Sequence, residues 1–348
     1  MSARDSEDPA MSALSWLFEK DLAAFPAGGR LLLVNPAWAS GPWTPDHATV
    51  WQWWKGHAAR FEAHGFTVCS TALSENKHDS EQYDVVLLRV PRQTEEAHYA
   101  MSCAAAALKP GGSFVAAAEN NAGGTRLEKD LSPFFSDLDV ASKHKCRIVW
   151  GSARAAEIPD AWVSDGDMRF MPSLGTWTQP GLFSWNRLDP ATTMLLASLP
   201  DGMKGRVADF GCGTGRIAAH LLAHNPGIET MLCFDADARA VEACRRTLTD
   251  EHPERTQEFL WADLSVPLKD IKPVDTVVMN PPFHAEKALA IELGRAFIAN
   301  AATLLCPDGT LWMVANAHLP YEKELAAHFR TVEKVNETGG FKIFHARR

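Results

Sequence analysis

Two short runs in the C-terminal half of the chain carry residue types that can do chemistry. The first is Asn280-Pro281-Pro282-Phe283, which follows a strand-like run beginning near Asp275. An amino group conjugated to a base ring is a poor nucleophile, because its lone pair is delocalised into the ring. The Asn280 side-chain oxygen and the Pro281 carbonyl can both accept hydrogen bonds from such a group, favouring a pyramidal nitrogen with an available lone pair. Two successive prolines stiffen the turn, and Phe283 offers a face on which an extruded base can stack. His284, the next residue, is a candidate substrate contact, or else a solvated residue at a helix start. Without its context the run is an ordinary Pro-Pro stop after a strand.

The second run is Asp209-Phe210-Gly211-Cys212-Gly213-Thr214-Gly215, placed after an apolar strand and before a helix. Gly211, Gly213 and Gly215 permit a tight turn and let ligand atoms lie against backbone, while the helix N-terminus presents free N–H groups to an anion. A dinucleotide site wants its third glycine one position later, where Arg216 stands, so S-adenosylmethionine (SAM) fits better than nicotinamide or flavin. The anion is then the methionine carboxylate, and Asp209 is placed to hold the ammonium group. Asp235 ends the next strand at the distance where an acidic residue accepts from ribose hydroxyls, or it caps the helix that begins near Asp237. Asp263 follows a third strand and either accepts from the adenine amino group, with Leu264 or Trp261 against the ring, or simply forms a turn. Asn280, at the rim of the same turn, belongs to both the cofactor and the catalytic sets.

These residues need a scaffold, and the flanking sequence supplies one. Strands at 206–210, 231–234, 259–262, 276–279 and 310–315 alternate with helices at 216–224, 238–248 and 286–305, the pattern of a doubly wound α/β fold. Segments at 332–336 and 342–346, parted by Gly339-Gly340, read as a closing hairpin. Asp189-Pro190 starts a short helix, since Asp caps well and Pro suits the first helical position.

The N-terminal half reads as a worn copy of this plan. Tyr83 to Leu88 lines up with Val274 to Met279, and Lys109-Pro110-Gly111-Gly112-Ser113 with Cys306-Pro307-Asp308-Gly309-Thr310. Where the second half has its glycine turn the first has Leu31 to Trp38, and where the second has Asn280-Pro281-Pro282-Phe283 the first has Arg89-Val90-Pro91-Arg92. The expected organisation is an extension at 1–25, a degenerate methyltransferase-like domain at 26–170, a linker and cover segment at 171–190 and a catalytic domain at 191–348. The first domain is expected to bind no SAM, and Trp51, Trp53 and Trp54 to pack a helix in its core.

The composition bounds the partners. The net charge of −9 argues against a protein that coats nucleic acid by bulk electrostatics. An RNA contact is therefore a local patch, for which Lys143, Lys145 and Arg147, or Arg347 and Arg348, are weak candidates. No apolar run approaches the roughly 18 residues of a membrane span. The charged residues near the N-terminus do not form a leader, so the expected compartment is the cytoplasm. The 7 cysteines are dispersed and read as buried free thiols, and no metal site is expected.

The sequence resembles the tandem-domain 16S ribosomal RNA guanine-N2 methyltransferases over nearly its whole length after residue 25. The marks are the glycine turn, Gln179-Pro180-Gly181-Leu182-Phe183-Ser184, Leu188-Asp189, Asn280-Pro281-Pro282-Phe283-His284, Ala315 to Tyr321 and Gly340-Phe341-Lys342-Ile343-Phe344. Pro190, where the family tends to have Gly, and Gly339-Gly340, where it has an arginine before the Phe, depart from the pattern. The resemblance implies two tandem Rossmann-like class I methyltransferase domains, the N-terminal one degenerate and serving substrate recognition. It also implies SAM as cofactor, and 16S rRNA in the 30S subunit or a late precursor as substrate. The turn chemistry alone also admits adenine N6 or a glutamine amide as target, and a non-catalytic RNA-binding assembly factor is the alternative of another class.

Overall fold

The computed structural model describes residues 8–23, 26–70, 82–153, 159–282 and 287–348. Two compact units divide the chain, Met1–Asp167 and Met168–Arg348.

The first unit opens with α1 (Pro9–Glu19), β1 (Leu31–Val34), β2 (Ala48–Trp51), α2 (Lys55–Ala63), β3 (Thr67–Cys69) and β4 (Tyr83–Arg89). It continues with α3 (Thr94–Ala106), β5 (Leu108–Glu119), α4 (Leu127–Leu131), β6 (Phe135–Lys143), β7 (Cys146–Ala153) and α5 (Asp160–Ser164). The second unit begins with a small hairpin of β8 (Arg169–Met171) and β9 (Thr176–Thr178), then α6 (Pro190–Leu196), β10 (Gly205–Phe210), α7 (Arg216–His224) and β11 (Ile228–Asp235). After these come α8 (Ala238–Glu251), β12 (Thr256–Trp261), β13 (Val274–Met279), α9 (Lys287–Leu304), β14 (Leu305–Asn316), α10 (Glu322–His328), β15 (Thr331–Thr338) and β16 (Phe341–Arg347).

Among the described residues each unit has a seven-stranded sheet, and the two orders are the same: β3-β2-β1-β4-β5-β7-β6 and β12-β11-β10-β13-β14-β16-β15. The duplication extends to single atoms. Asp84 accepts from the Arg30 N–H and Asp275 from the Arg206 N–H, both at 2.8 Å. A Cβ added at Gly112 would meet Leu108 and the Asp84 carbonyl at 3.0 and 3.1 Å; one at Gly309 would meet Leu305 and the Asp275 carbonyl at 3.0 and 3.2 Å.

The inner strands are continuous apolar runs because both faces of the sheet are covered. In the second unit Phe210, Phe234, Met279 and Met313 pack on α9 on one face. Val207, Met231, Val278 and Trp312 pack beneath α6 and α7 on the other, with Cys244 and Leu248 of α8. Helix α8 buries Ala240, Ala243, Cys244, Thr247 and Leu248, the spacing of one helical stripe. The closing hairpin turns on Gly339 and Gly340, at φ +58° and +84°, as a tight two-residue loop requires.

Two expectations change, for the tryptophans and for the cysteines. Trp51, Trp53 and Trp54 do not pack a helix: Trp51 ends β2, Trp53 is buried in the connection with its ring 5.4 Å from that of Trp51, and Trp54 precedes α2 and is 43% exposed. Three bulky residues within four positions suit the two-residue repeat of extended chain better than a helical stripe. The extension at 1–25 contributes α1 to the core of the first unit through Met11, Leu14 and Leu17. The segment at 171–190 falls within the second unit, where the Trp177 N–H donates to Thr247 Oγ1 at 2.9 Å and its indole to Asp250 at 2.7 Å. All seven cysteines are free, but Cys69, Cys103 and Cys306 are only half-buried.

Candidate active site

Strands β11, β10 and β13 run parallel and adjacent, with Phe210 level with Phe234 on one side and Met279 on the other. Side chains alternate across a strand, and Val207, Cys233 and Val278 all point into the cluster beneath α6 and α7. Asp209, Asp235 and Asn280 each lie two residues further on, so the three emerge on that same face at the carboxyl ends of neighbouring strands. The β10–β13 boundary is where the strand order reverses, the place where open α/β sheets form a ligand crevice.

Asp209 is fully buried, and neither carboxylate oxygen makes a hydrogen bond of normal geometry among the described residues, the Ala218 N–H of α7 offering only a weak approach. Burial, with Cys233 and Asp235 close by, pushes its carboxyl well above the usual range. A buried unpaired carboxylate is costly, and a cationic ligand group relieves that cost. The turn that follows holds Gly211, Gly213 and Gly215 at φ +80°, +53° and +84°. No atom lies within 4 Å of where a Gly213 Cβ would stand, which leaves room for ligand over the turn. Gly215 serves packing instead: a Cβ there would lie 3.0 Å from Cys244 Sγ and 3.1 Å from Cys244 Cα. Gly215 also opens α7 without a side-chain cap, so the Arg216 and Ile217 N–H groups of the first turn stay available to an anion.

Asp235 does not cap α8, because Asp237 does so by accepting from the Arg239 N–H at 2.9 Å. One oxygen of Asp235 accepts from the Gly213 N–H and the other from the Asp237 N–H, both at 2.9 Å. The carboxylate thus ties the glycine turn to the start of α8 and keeps a second lone pair on each oxygen. Burial raises its pKa to about 6 against the lowering effect of the Asp237 and Gly213 N–H groups. Asp263 makes a turn, accepting from the Ser265 N–H at 2.9 Å. The loop after it is clamped by Asn300, whose amide donates to the carbonyls of Leu264 and Val266 at 2.9 Å and accepts from the Leu268 N–H at 3.0 Å. Trp261 is steadied by its indole bond to the Ala236 carbonyl at 2.9 Å.

Asn280 has its amide nitrogen fully engaged, donating to Asp189 Oδ2 at 3.0 Å and to Thr192 Oγ1 at 2.9 Å. Its oxygen is buried and has no partner among the described residues. Pro281 is buried, while Phe283 and His284 lie outside the described residues. The sequence marks Asp189 as a helix cap and as part of the family resemblance but gives it no role in the site, and it does not single out Thr192 or Asn300. The signal for Asp189 was the second Asp-Pro helix start, Asp8-Pro9, in the first half. Of the basic candidates, Arg147 pairs with Glu128 at 2.9 Å, Lys143 lies over the Trp16 ring, and Arg348 donates to the Leu305 carbonyl.

Comparison with known proteins matches residues 173–345 to the methyltransferase small domain and residues 43–164 to its N-terminal companion domain. Ribosomal RNA small subunit methyltransferase C of Shewanella loihica is 31% identical over 298 residues, covering 84% of this chain and 85% of its own. The protein of that name from Aeromonas hydrophila is 34% identical over 274 residues, covering 76% and 77%. The chain belongs to this methyltransferase family. The solved 16S rRNA N2 methyltransferase RsmC of T. thermophilus, in complex with AdoMet and guanosine, superposes with TM-score 0.82 over 100% of this chain and 94% of that one. At 24% identity it shows the shared fold. The family's cofactor is SAM, and the groups present fit it: an orphaned buried carboxylate for its ammonium, an uncapped helix start for its carboxylate and an open glycine turn between them. No described helix is long and apolar enough to cross a membrane.

Proposed function

We propose that the second unit transfers the methyl group of SAM to the exocyclic N2 amino group of a guanine in 16S rRNA. The observation that carries this reading is the Asn280 amide, whose N–H groups are both consumed while its oxygen is buried and unpartnered. Such an oxygen is a fixed acceptor for an amino group. The names of the relatives, which specify small-subunit rRNA, and the guanosine bound in the T. thermophilus enzyme favour guanine over adenine or an amide.

When bound, SAM supplies an electrophilic methyl group on its sulfonium. Asp209 would hold the ammonium group, the N-terminus of α7 the carboxylate, Asp235 the ribose hydroxyls, and Asp263 with Leu264 or Trp261 the adenine. Asn280, with the Pro281 carbonyl, draws the target amino group out of conjugation and aims its lone pair. Phe283 stacks the extruded base, and His284 is a substrate contact. The first unit, with Arg89 in place of Asn280 and no glycine turn, binds no SAM and selects the substrate, which is the 30S subunit or a late precursor in the cytoplasm.

Replacing Asn280 by Ala tests the assignment. Losing a positioned polar group at a reacting centre costs about 10²- to 10³-fold in rate. Label transfer from SAM into 30S subunits falls by that factor, with SAM affinity kept. Wild-type turnover in this variant overturns the assignment, and nuclease digestion of the product that yields methyladenine overturns guanine. Folded subunits are methylated faster than protein-free 16S rRNA, because a chain of net charge −9 cannot select by wholesale phosphate neutralisation.

A further inference from the structure

The two ends of an amide are nearly the same shape but opposite in hydrogen-bonding character, so a strand end that presents Asn280 does not by itself decide which end meets the substrate. With the amide reversed, N–H donors would face the N–H donors of the target amino group. We propose that Asp189 and Thr192 are positioning residues that fix the Asn280 amide with its oxygen toward the substrate. The proposal rests on reading Asn280 as the acceptor of the target amino group.

The hydrogen bonds admit one orientation only. A carboxylate cannot donate, so Asp189 Oδ2, 3.0 Å from the Asn280 nitrogen, demands a donor there. The Thr192 hydroxyl spends its own proton on Asp189 Oδ2 at 2.9 Å, which leaves it only lone pairs for the Asn280 nitrogen at 2.9 Å. Both partners of that nitrogen are therefore acceptors, and neither could satisfy an oxygen. The same Asp189 oxygen also accepts the Thr192 backbone N–H at 2.7 Å, so the start of α6 and the orientation of Asn280 are built on a single atom.

The first unit repeats this frame with other chemistry. Asp8 caps α1, accepting from the N–H groups of Ala10 and Met11 at 3.1 Å, and its other oxygen receives Arg89 Nε at 2.9 Å and Nη2 at 2.8 Å. Arg89 occupies the strand position that corresponds to Asn280. The Asp at the helix start thus engages the end of the matching strand in both units. A guanidinium has only donors, so the first unit closes the frame as an ion pair, whereas an amide uses its donors on the Asp and keeps an oxygen to offer.

Three substitutions separate positioning from capping, with kcat, KM for 30S subunits, SAM affinity and Tm measured on the full chain. Asp189→Ser keeps a good helix cap but is too short to reach Asn280. It lowers kcat about 10- to 100-fold, the scale of a misplaced catalytic group, with KM, SAM affinity and Tm near wild type. Asp189→Asn retains one oxygen, which can make all three bonds, and restores kcat. Thr192→Val removes one acceptor but keeps the backbone N–H to Asp189, and it also lowers kcat, so it carries the test if Asp189→Ser fails to fold. In an Asn280→Ala background neither Asp189→Ser nor Thr192→Val lowers kcat further. The Asn280 side-chain amide protons, followed by nitrogen-15 NMR, exchange slowly in the wild type and fast in Asp189→Ser. Wild-type kcat in Asp189→Ser or Thr192→Val, with activity lost in Asn280→Ala, overturns the positioning role. Wild-type activity in Asn280→Ala overturns the acceptor reading beneath it.

Discussion

The affinity for SAM should carry a titration that belongs to Asp235. Its carboxyl has a pKa of about 6 instead of 3.8, because it is buried beneath the glycine turn. Ribose hydroxyls donate to the ionised form, so binding favours the carboxylate and competes with the proton. At pH 7 about nine-tenths of the groups are ionised, and at pH 5 only about one-tenth. The share of affinity owed to Asp235 should therefore fall about tenfold across that interval, or about 1.4 kcal/mol. Asp235→Asn loses the charge-assisted bonds and should weaken SAM binding at pH 7 by about 1.5–3 kcal/mol. At pH 5, where the wild-type group is mostly protonated too, that penalty should shrink by about 1.4 kcal/mol, a factor of about ten in the ratio of the two affinities. Comparing the two proteins at each pH cancels the part of the Asp209 titration that burial causes, though not the part owed to the Asp235 charge. Isothermal titration calorimetry at pH 7 and pH 5 gives the four constants. An Asp235→Asn penalty that is the same at both pH values refutes the reasoning. Without ligand the sign is opposite. The folded protein binds this proton more tightly than the unfolded chain, so the contribution to stability is full below about pH 4 and is lost as the pH rises through about 6.

Two further substitutions test the frame of the site. Gly215→Ala meets both a left-handed backbone and the Cys244 Cα at 3.1 Å, and should lower unfolding stability by about 2 kcal/mol or more, read by urea titration. Asn300→Ala removes three bonds that clamp residues 264–268, and should cost about 2–3 kcal/mol of stability while weakening SAM binding, seen by calorimetry.

Much of the site was legible in the sequence because its signals are local. The glycine turn, the Asp-Pro helix start at 189–190 and the Gly339-Gly340 hairpin each specify a backbone within a few residues, and the structure has each of them. Strand alternation also let the sequence place Asp209 and Asp235 at strand ends. Local pattern misled at Trp51 and Trp53, where bulk was taken for a helical core and the chain is extended.

What the tertiary structure decided is which distant groups meet and what each is left free to do. Asp189 and Asn280 are 91 positions apart, and their bond depends on the start of α6 being brought to the end of β13. The sequence shows an Asp before a Pro and an Asn before a Pro; only the packing of that helix makes one the partner of the other. The same holds for the unpartnered oxygens of Asp209 and Asn280. Whether a polar atom lacks a partner depends on everything folded around it, a sum over long-range contacts that no local run of residues encodes.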